Sequence, residues 1–159
     1  MFDRIFQRES LQQSGTHIVI SYSSSPVLAL NTNHGTILME MLPANAPNTV
    51  ANFLDYVNDG DYENSFIHRS MSGFVVQGGG FVTSNEIFAS TSQFTSVPTD
   101  PPVVNEFDVS NTVGTVAMAK LGGDPNSATS QWFVNMADNS TNLDGQNGGF
   151  TVFARVLDM

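Results

Sequence analysis

Apolar and β-branched residues in this chain fall into short runs, several of them bounded by glycine, proline or asparagine. Such runs fit strands buried on at least one face better than helices. His17-Ile18-Val19-Ile20-Ser21-Tyr22 reads as one strand. Val27 to Asn33 and Thr36 to Leu42 flank Asn33-His34-Gly35, a hairpin signal. Ser65 to Met71, Phe74 to Gln77, Gly114 to Lys120, Ser130 to Met136 and Phe150 to Leu157 supply the rest. Helical spacing is confined to two places. Val50, Phe53, Leu54 and Val57 lie on one helical face, with Pro47 in the first turn and Gly60 as a stop. Phe2, Ile5 and Phe6 give Met1 to Arg8 a short amphipathic pattern. Residues 82–113, with Pro98, Pro101 and Pro102, read mostly as loop. About eight strands and two helices predict a mostly β fold: a closed antiparallel barrel with helices over its ends. The 159 residues fit one domain with one core.

Composition narrows what such a barrel can do. Fifteen acidic residues face five basic ones, a net charge of −10, which argues against nucleic acid as a partner. No stretch reaches the ~20 apolar residues of a membrane span, and the N-terminus lacks the apolar run of a signal peptide. The expectation is a soluble monomer of the cytoplasm, with periplasm and secretion left open. There is no cysteine, so disulfides and thiol chemistry are excluded.

Conventional catalytic constellations are missing. His17, His34 and His68 are scattered without metal-ligand spacing. No Gly-x-Ser-x-Gly elbow is present. Gly78-Gly79-Gly80 lacks the Lys-Ser/Thr of a phosphate loop, and reads as close backbone packing or a bulge beside a strand. Acids are plentiful, and counting them leaves two-carboxylate catalysis open. What remains is Arg69, a cation in an apolar run close to Phe74 and Gln77. The residues alone leave open that it is a strand arginine paired with one of the many acids.

The wording of three stretches changes that. Phe66-Ile67-His68-Arg69 through Gly73-Phe74-Val75-Val76-Gln77-Gly78-Gly79 resembles the cyclophilin signature. Gly114-Thr115-Val116-Ala117-Met118-Ala119-Lys120 with Ser127-Ala128-Thr129-Ser130-Gln131-Trp132-Phe133-Val134 resembles the family's second active-site stretch. Asn142-Leu143-Asp144-Gly145 and Phe150 to Val156 resemble its third. The likeness covers residues 27–157 in family order and is closest to bacterial members. It implies an eight-stranded barrel with two capping helices and peptidyl-prolyl cis–trans isomerase activity without a metal or cofactor. It implies that Arg69 is the catalytic arginine, with Gln77 beside it. Phe74, Val75, Phe133 and Leu143 become the walls of a proline pocket. Ala119, Lys120 and Gln131 become the groove for the preceding residues, with His68 also on the substrate-binding side. Phe150 stands where many members have histidine.

The chemistry suits these residue types. Amide rotation costs ~18–20 kcal/mol because resonance stiffens the C–N bond. No bond is broken, so no nucleophile is needed. A fixed guanidinium can donate a hydrogen bond to the nitrogen of the twisted amide, which has regained its lone pair. That bond accelerates rotation only if it is stronger in the twisted state than in the planar ones.

Two departures qualify the resemblance. Asn142 stands where many eukaryotic members have tryptophan, which implies weak cyclosporin binding. The expected partners are proline-containing peptides and unfolded proteins. The family's last helix and strand are not found after Leu157, whereas Phe2 to Phe6 and His17 to Tyr22 look like them at the front. This predicts a circularly permuted barrel, joined through Ser23 to Pro26. An unrelated N-terminal extension or a boundary within a tandem array are the alternatives. For function, the alternative is a proline-peptide binding module or chaperone with little catalysis.

Overall fold

The computed structural model describes residues 25–83 and 93–157. Nine strands and two helices follow in chain order: β1 (Val27–Thr32), β2 (Gly35–Met41), α1 (Pro47–Asp59), β3 (Arg69–Ser70), β4 (Val75–Gly78), β5 (Phe81–Thr83), β6 (Phe94–Ser96), β7 (Thr115–Met118), β8 (Trp132–Asn135), α2 (Ser140–Leu143) and β9 (Val152–Val156). Seven strands form one antiparallel sheet in the order β1-β2-β9-β7-β8-β4-β3, and β5 pairs with β6 separately.

The hairpin expected at Asn33-His34 is present. Thr32 pairs with Gly35, and the Thr32 hydroxyl donates to the Gly35 carbonyl (2.8 Å) while accepting from the His34 N–H. The expected helix is α1. It starts at Pro47 and ends at Gly60, whose φ of 79° gives a left-handed cap that glycine adopts freely. Its buried face is Val50, Phe53 and Tyr56, while Leu54 and Val57 are half-buried. No side chain of its own caps its first turn. Glu106 does so from the long loop: its carboxylate accepts the N–H groups of Asn48 (3.1 Å) and Thr49 (2.8 Å) and both their side chains. Burial alone would raise the pKa of Glu106, but these four donors outweigh it and pull the value down.

Two clusters of buried side chains result. The larger packs α1 against the sheet through Leu28, Met39, Met41, Phe53, Tyr62, Val116, Met118, Trp132 and Phe153. The smaller gathers Val75, Ala117, Phe133, Leu143 and Val152. Adjacent residues Trp132 and Phe133 go to different clusters, as strand alternation requires. In β9 the alternation is interrupted. Val116 pairs with Ala154 but Ala117 pairs with Val152, leaving Phe153 as a bulge residue. Val152 therefore joins the smaller cluster while Phe153 and Ala154 join the larger.

Three expectations need correction or restriction. The closed eight-stranded barrel is not found among the described residues. The sheet has free edges at β1 and β3. β3 is two residues long, and β5 and β6 pair with each other, so no ladder leads from β3 back to β1. The second helix of the described residues is α2, in a polar segment with no helical spacing, rather than Met1 to Arg8. That N-terminal helix, the strand His17 to Tyr22 and the first part of the Ser23 to Pro26 linker lie outside the described residues. No helix among the described residues is long and apolar enough to cross a membrane.

Candidate functional site

The site forms where β3, β4, β7 and β8 meet the ends of α2 and β9. Arg69 pairs directly with Gln77 in the β3–β4 ladder, so their side chains leave the same face. The guanidinium donates to Gln77 Oε1 at 3.1 Å and lies 2.9 Å from Met71 Sδ. Its Cζ is 5.8 Å from the centroid of the Phe74 ring. Gln77 Nε2 in turn donates to Gln131 Oε1 at 2.9 Å, and Gln131 hydrogen-bonds His68. A single relay thus runs from His68 through two amides to Arg69. Burial pushes the His68 pKa down, Gln131 opposes this, and the nearby Arg69 charge adds to the fall.

The three glycines allow close packing around the relay, and Gly80 lies directly against it. Gly79 has φ +74°, and a Cβ there would stand 2.5 Å from the Ser130 carbonyl oxygen and 2.7 Å from the Trp132 ring. A Cβ on Gly80 would stand 2.9 Å from His68 and 3.0 Å from Gln131. The reading of these residues as close backbone packing holds, and what they approach is the back of the site.

Below the guanidinium lies a cavity of ≈ 260 Å³ lined by Phe74, Val75, Phe133, Leu143 and Phe150, with Arg69, Gln77, Ala119, Lys120, Asn142 and Gln146 around them. Phe133 and Phe150 meet edge to face at 5.8 Å. The cavity brings together nine of the eleven side chains expected at the site. His68 and Gln131 join through the relay rather than the walls. Asn142, where tryptophan was expected in many relatives, lines the cavity and hydrogen-bonds Gln146.

Sequence reasoning missed the support behind the cavity. Asn111, Asn135 and Asn139 are all buried. Asn139 donates to the Phe74 carbonyl (2.9 Å) and to Asn135 Oδ1 (2.8 Å). Asn135 donates to Asn111 Oδ1 (3.2 Å), and Asn111 donates to the Phe150 carbonyl (3.0 Å) and to Asp144 Oδ1 (3.0 Å). The Leu143 N–H donates to the Asn139 carbonyl at 2.8 Å. One amide network thereby fixes Phe74, Leu143 and Phe150. An asparagine closing the apolar strand Trp132-Phe133-Val134-Asn135 was the available signal.

The cavity walls form a largely apolar socket with an anchored guanidinium at its rim. The chain belongs to the cyclophilin-type peptidyl-prolyl cis–trans isomerases: the family model described as "Cyclophilin type peptidyl-prolyl cis-trans isomerase/CLD" matches residues 27–159. It is 41% identical over 138 residues to peptidyl-prolyl cis-trans isomerase B of Escherichia coli, covering 83% of this chain and 78% of that protein. A peptidyl-prolyl cis-trans isomerase of Acinetobacter baylyi is 33% identical over 156 residues, covering 96% of this chain and 78% of that protein. A cyclophilin-type isomerase of Cryptosporidium parvum, solved in the presence of the dipeptide Ala-Pro, has the same fold (TM-score 0.64, 22% identity, 84% of this chain and 79% of that one).

Proposed function

We propose that Arg69 drives rotation of X-Pro bonds by donating to the amide nitrogen as it pyramidalises. The carrying observation is the guanidinium held by Gln77 at 3.1 Å on the rim of an apolar socket. The socket of Phe74, Val75, Phe133, Leu143 and Phe150 takes the proline ring. Gln131 and Ala119 receive the preceding residues, and His68 supports that side through Gln131. Excluding water from the socket strengthens the arginine's bond where it matters, in the twisted state. The Ala-Pro dipeptide present with the Cryptosporidium protein supports proline-containing peptides, and hence unfolded chains, as substrates.

The test is NMR exchange on an Ala-Pro peptide. Arg69→Ala is expected to lower kcat/KM by about 10²–10³-fold, the scale of losing a transition-state hydrogen-bond donor. Arg69→Lys keeps the charge without the planar fork, and falls nearly as far with modest loss of binding. Wild-type exchange in either variant would remove Arg69 from the mechanism, and only an absence of exchange in the unaltered protein would favour the alternative, a proline-peptide binding module or chaperone. With Asn142 in place of an indole, cyclosporin is expected to inhibit weakly, and nanomolar inhibition would overturn that reading.

We also carry forward two structural expectations. In a permuted fold, His17 to Tyr22 would pair with an edge of the sheet. Among the described residues the sheet ends at β1 and β3, which supports this. The Acinetobacter alignment supports the alternative, since an ordinary alignment over 96% of the chain leaves too few residues to omit all of 1–22. Deleting residues 1–22 separates the two: a paired edge strand predicts a large fall in Tm, and a preceding extension predicts none. The reading as a soluble cytoplasmic monomer rests on the net charge of −10 and is checked by fractionation and sedimentation.

A further inference from the structure

Lys120 stands in the wall of the socket, yet its ammonium is taken up by the chain itself. It donates to Asn105 Oδ1 (3.0 Å), the Asn147 carbonyl (2.9 Å) and the Gly149 carbonyl (2.6 Å). Three donors meet three acceptors, which uses its full hydrogen-bonding capacity. The acceptors are built for it. Asn147, Gly148 and Gly149 have φ of 50°, 75° and 77°, three successive left-handed residues. Such a conformation is uncommon outside glycine and persists only where its surroundings impose it. Gly149 has no room for a side chain, since a Cβ would stand 2.3 Å from the Phe107 ring. Asn105 closes the cage from the other side, donating to the Gly148 carbonyl at 2.7 Å and accepting from the Thr151 hydroxyl at 2.9 Å.

The next residue after this loop is Phe150. Its ring lies 4.9 Å from Lys120 Nζ and packs on Phe133 at 5.8 Å. We infer that Lys120 is a positioning residue: its ammonium acts as an internal cation that organises loop 147–149 and sets the place of Phe150 in the wall of the socket. This replaces its expected part as a direct peptide contact, and it rests on the reading of the socket as the proline site.

The experiment uses the full chain. Lys120→Met keeps the stem and removes the donors. It is expected to raise KM, lowering kcat/KM by about tenfold with kcat little changed, because the wall holds proline alike in planar and twisted states. Nuclear Overhauser effects between the Phe150 and Phe133 rings are expected to weaken or vanish. Lys120→Arg, which retains a multi-donor cation, recovers most of the loss. In Lys120→Ala, millimolar n-butylammonium is expected to restore activity and the ring contact, whereas n-butanol and tetramethylammonium, which lack the N–H donors, restore neither. An unaltered ring contact in Lys120→Met, or a fall in kcat at constant KM, overturns the proposal. Equal rescue by butanol does so too. A displaced ring with unchanged KM upholds the positioning role and overturns the proline-site reading instead. If Lys120→Met does not fold, the butylammonium rescue of Lys120→Ala, read as a rise in Tm that butanol does not reproduce, decides the matter.

Discussion

The two faces of the sheet are built from neighbouring residues and do different work. On one face Trp132, Val116, Met118 and Phe153 are sealed under α1. On the other Phe133, Ala117 and Val152 form a floor left partly uncovered as a cavity. The sealed face is held by apolar contact, with the Phe53 ring tilted against Phe153 at 4.8 Å and against Tyr62 at 5.4 Å. The open face could not be held that way, because its upper layer has to remain vacant for a ligand. It is held from the sides, by the Asn111–Asn135–Asn139 network, the Lys120 cage and the relay from His68 to Arg69. A binding face needs directional bonds at its rim because it gives up close packing at its centre.

The largest effect that would test this contrast is on stability. Phe153→Ala is expected to cost about 3–5 kcal/mol, with residual activity falling only as folded protein is lost. Phe133→Ala is expected to cost less, since its void opens to water, yet to remove most of kcat/KM. Denaturant melts paired with exchange rates check both. Similar costs in stability and activity for the two would erase the distinction between the faces.

Next comes the rim. Asn135→Ala leaves buried amide partners unsatisfied and is expected to cost about 1–3 kcal/mol. It should also raise KM, as Phe74 and Phe150 lose their shared anchor. A loss of stability with unchanged KM would show that the network supports the fold but not the socket.

The smallest effect is on pH dependence. His68 has a pKa held below its ordinary 6.5 by burial, with Arg69 adding and Gln131 opposing. Between that lowered value and 6.5 the unfolded chain binds more protons than the folded one. Stability from this residue is therefore full above 6.5 and is lost as pH falls through the window. His68→Gln is expected to flatten the Tm profile there. A profile identical to wild type would detach His68 from the relay.

Much of this was legible in sequence where a signal is local. The α1 stripe, the Asn33-His34 turn and the strands around Phe133 and Phe153 follow from periodicity and turn chemistry. The socket walls followed from the resemblance, and the structure gathers them. Other features depend on partners far along the chain. Glu106 caps α1 across more than fifty residues, and nothing near it marks it as a cap. Lys120 reads as a groove residue by position, and only the left-handed loop at Asn147 to Gly149 shows where its charge goes. The pairing of β5 with β6 rather than with the main sheet is likewise a tertiary choice that short polar strands do not announce.

The bulge at Phe153 carries a consequence for how this architecture tolerates change. Alternation makes a strand a two-phase register, and the extra residue advances β9 by half a period partway along. Val152 is in phase with the socket and Ala154 with the interior. Removing Phe153, the one residue between them, would restore regular alternation with Val152 still on the socket side and Ala154 still inside, at the cost of one core ring. Removing any other residue of β9 would shift one end of the strand by half a period and exchange floor for core, so a single-residue deletion is expected to be tolerated less well elsewhere in β9 than at the bulge.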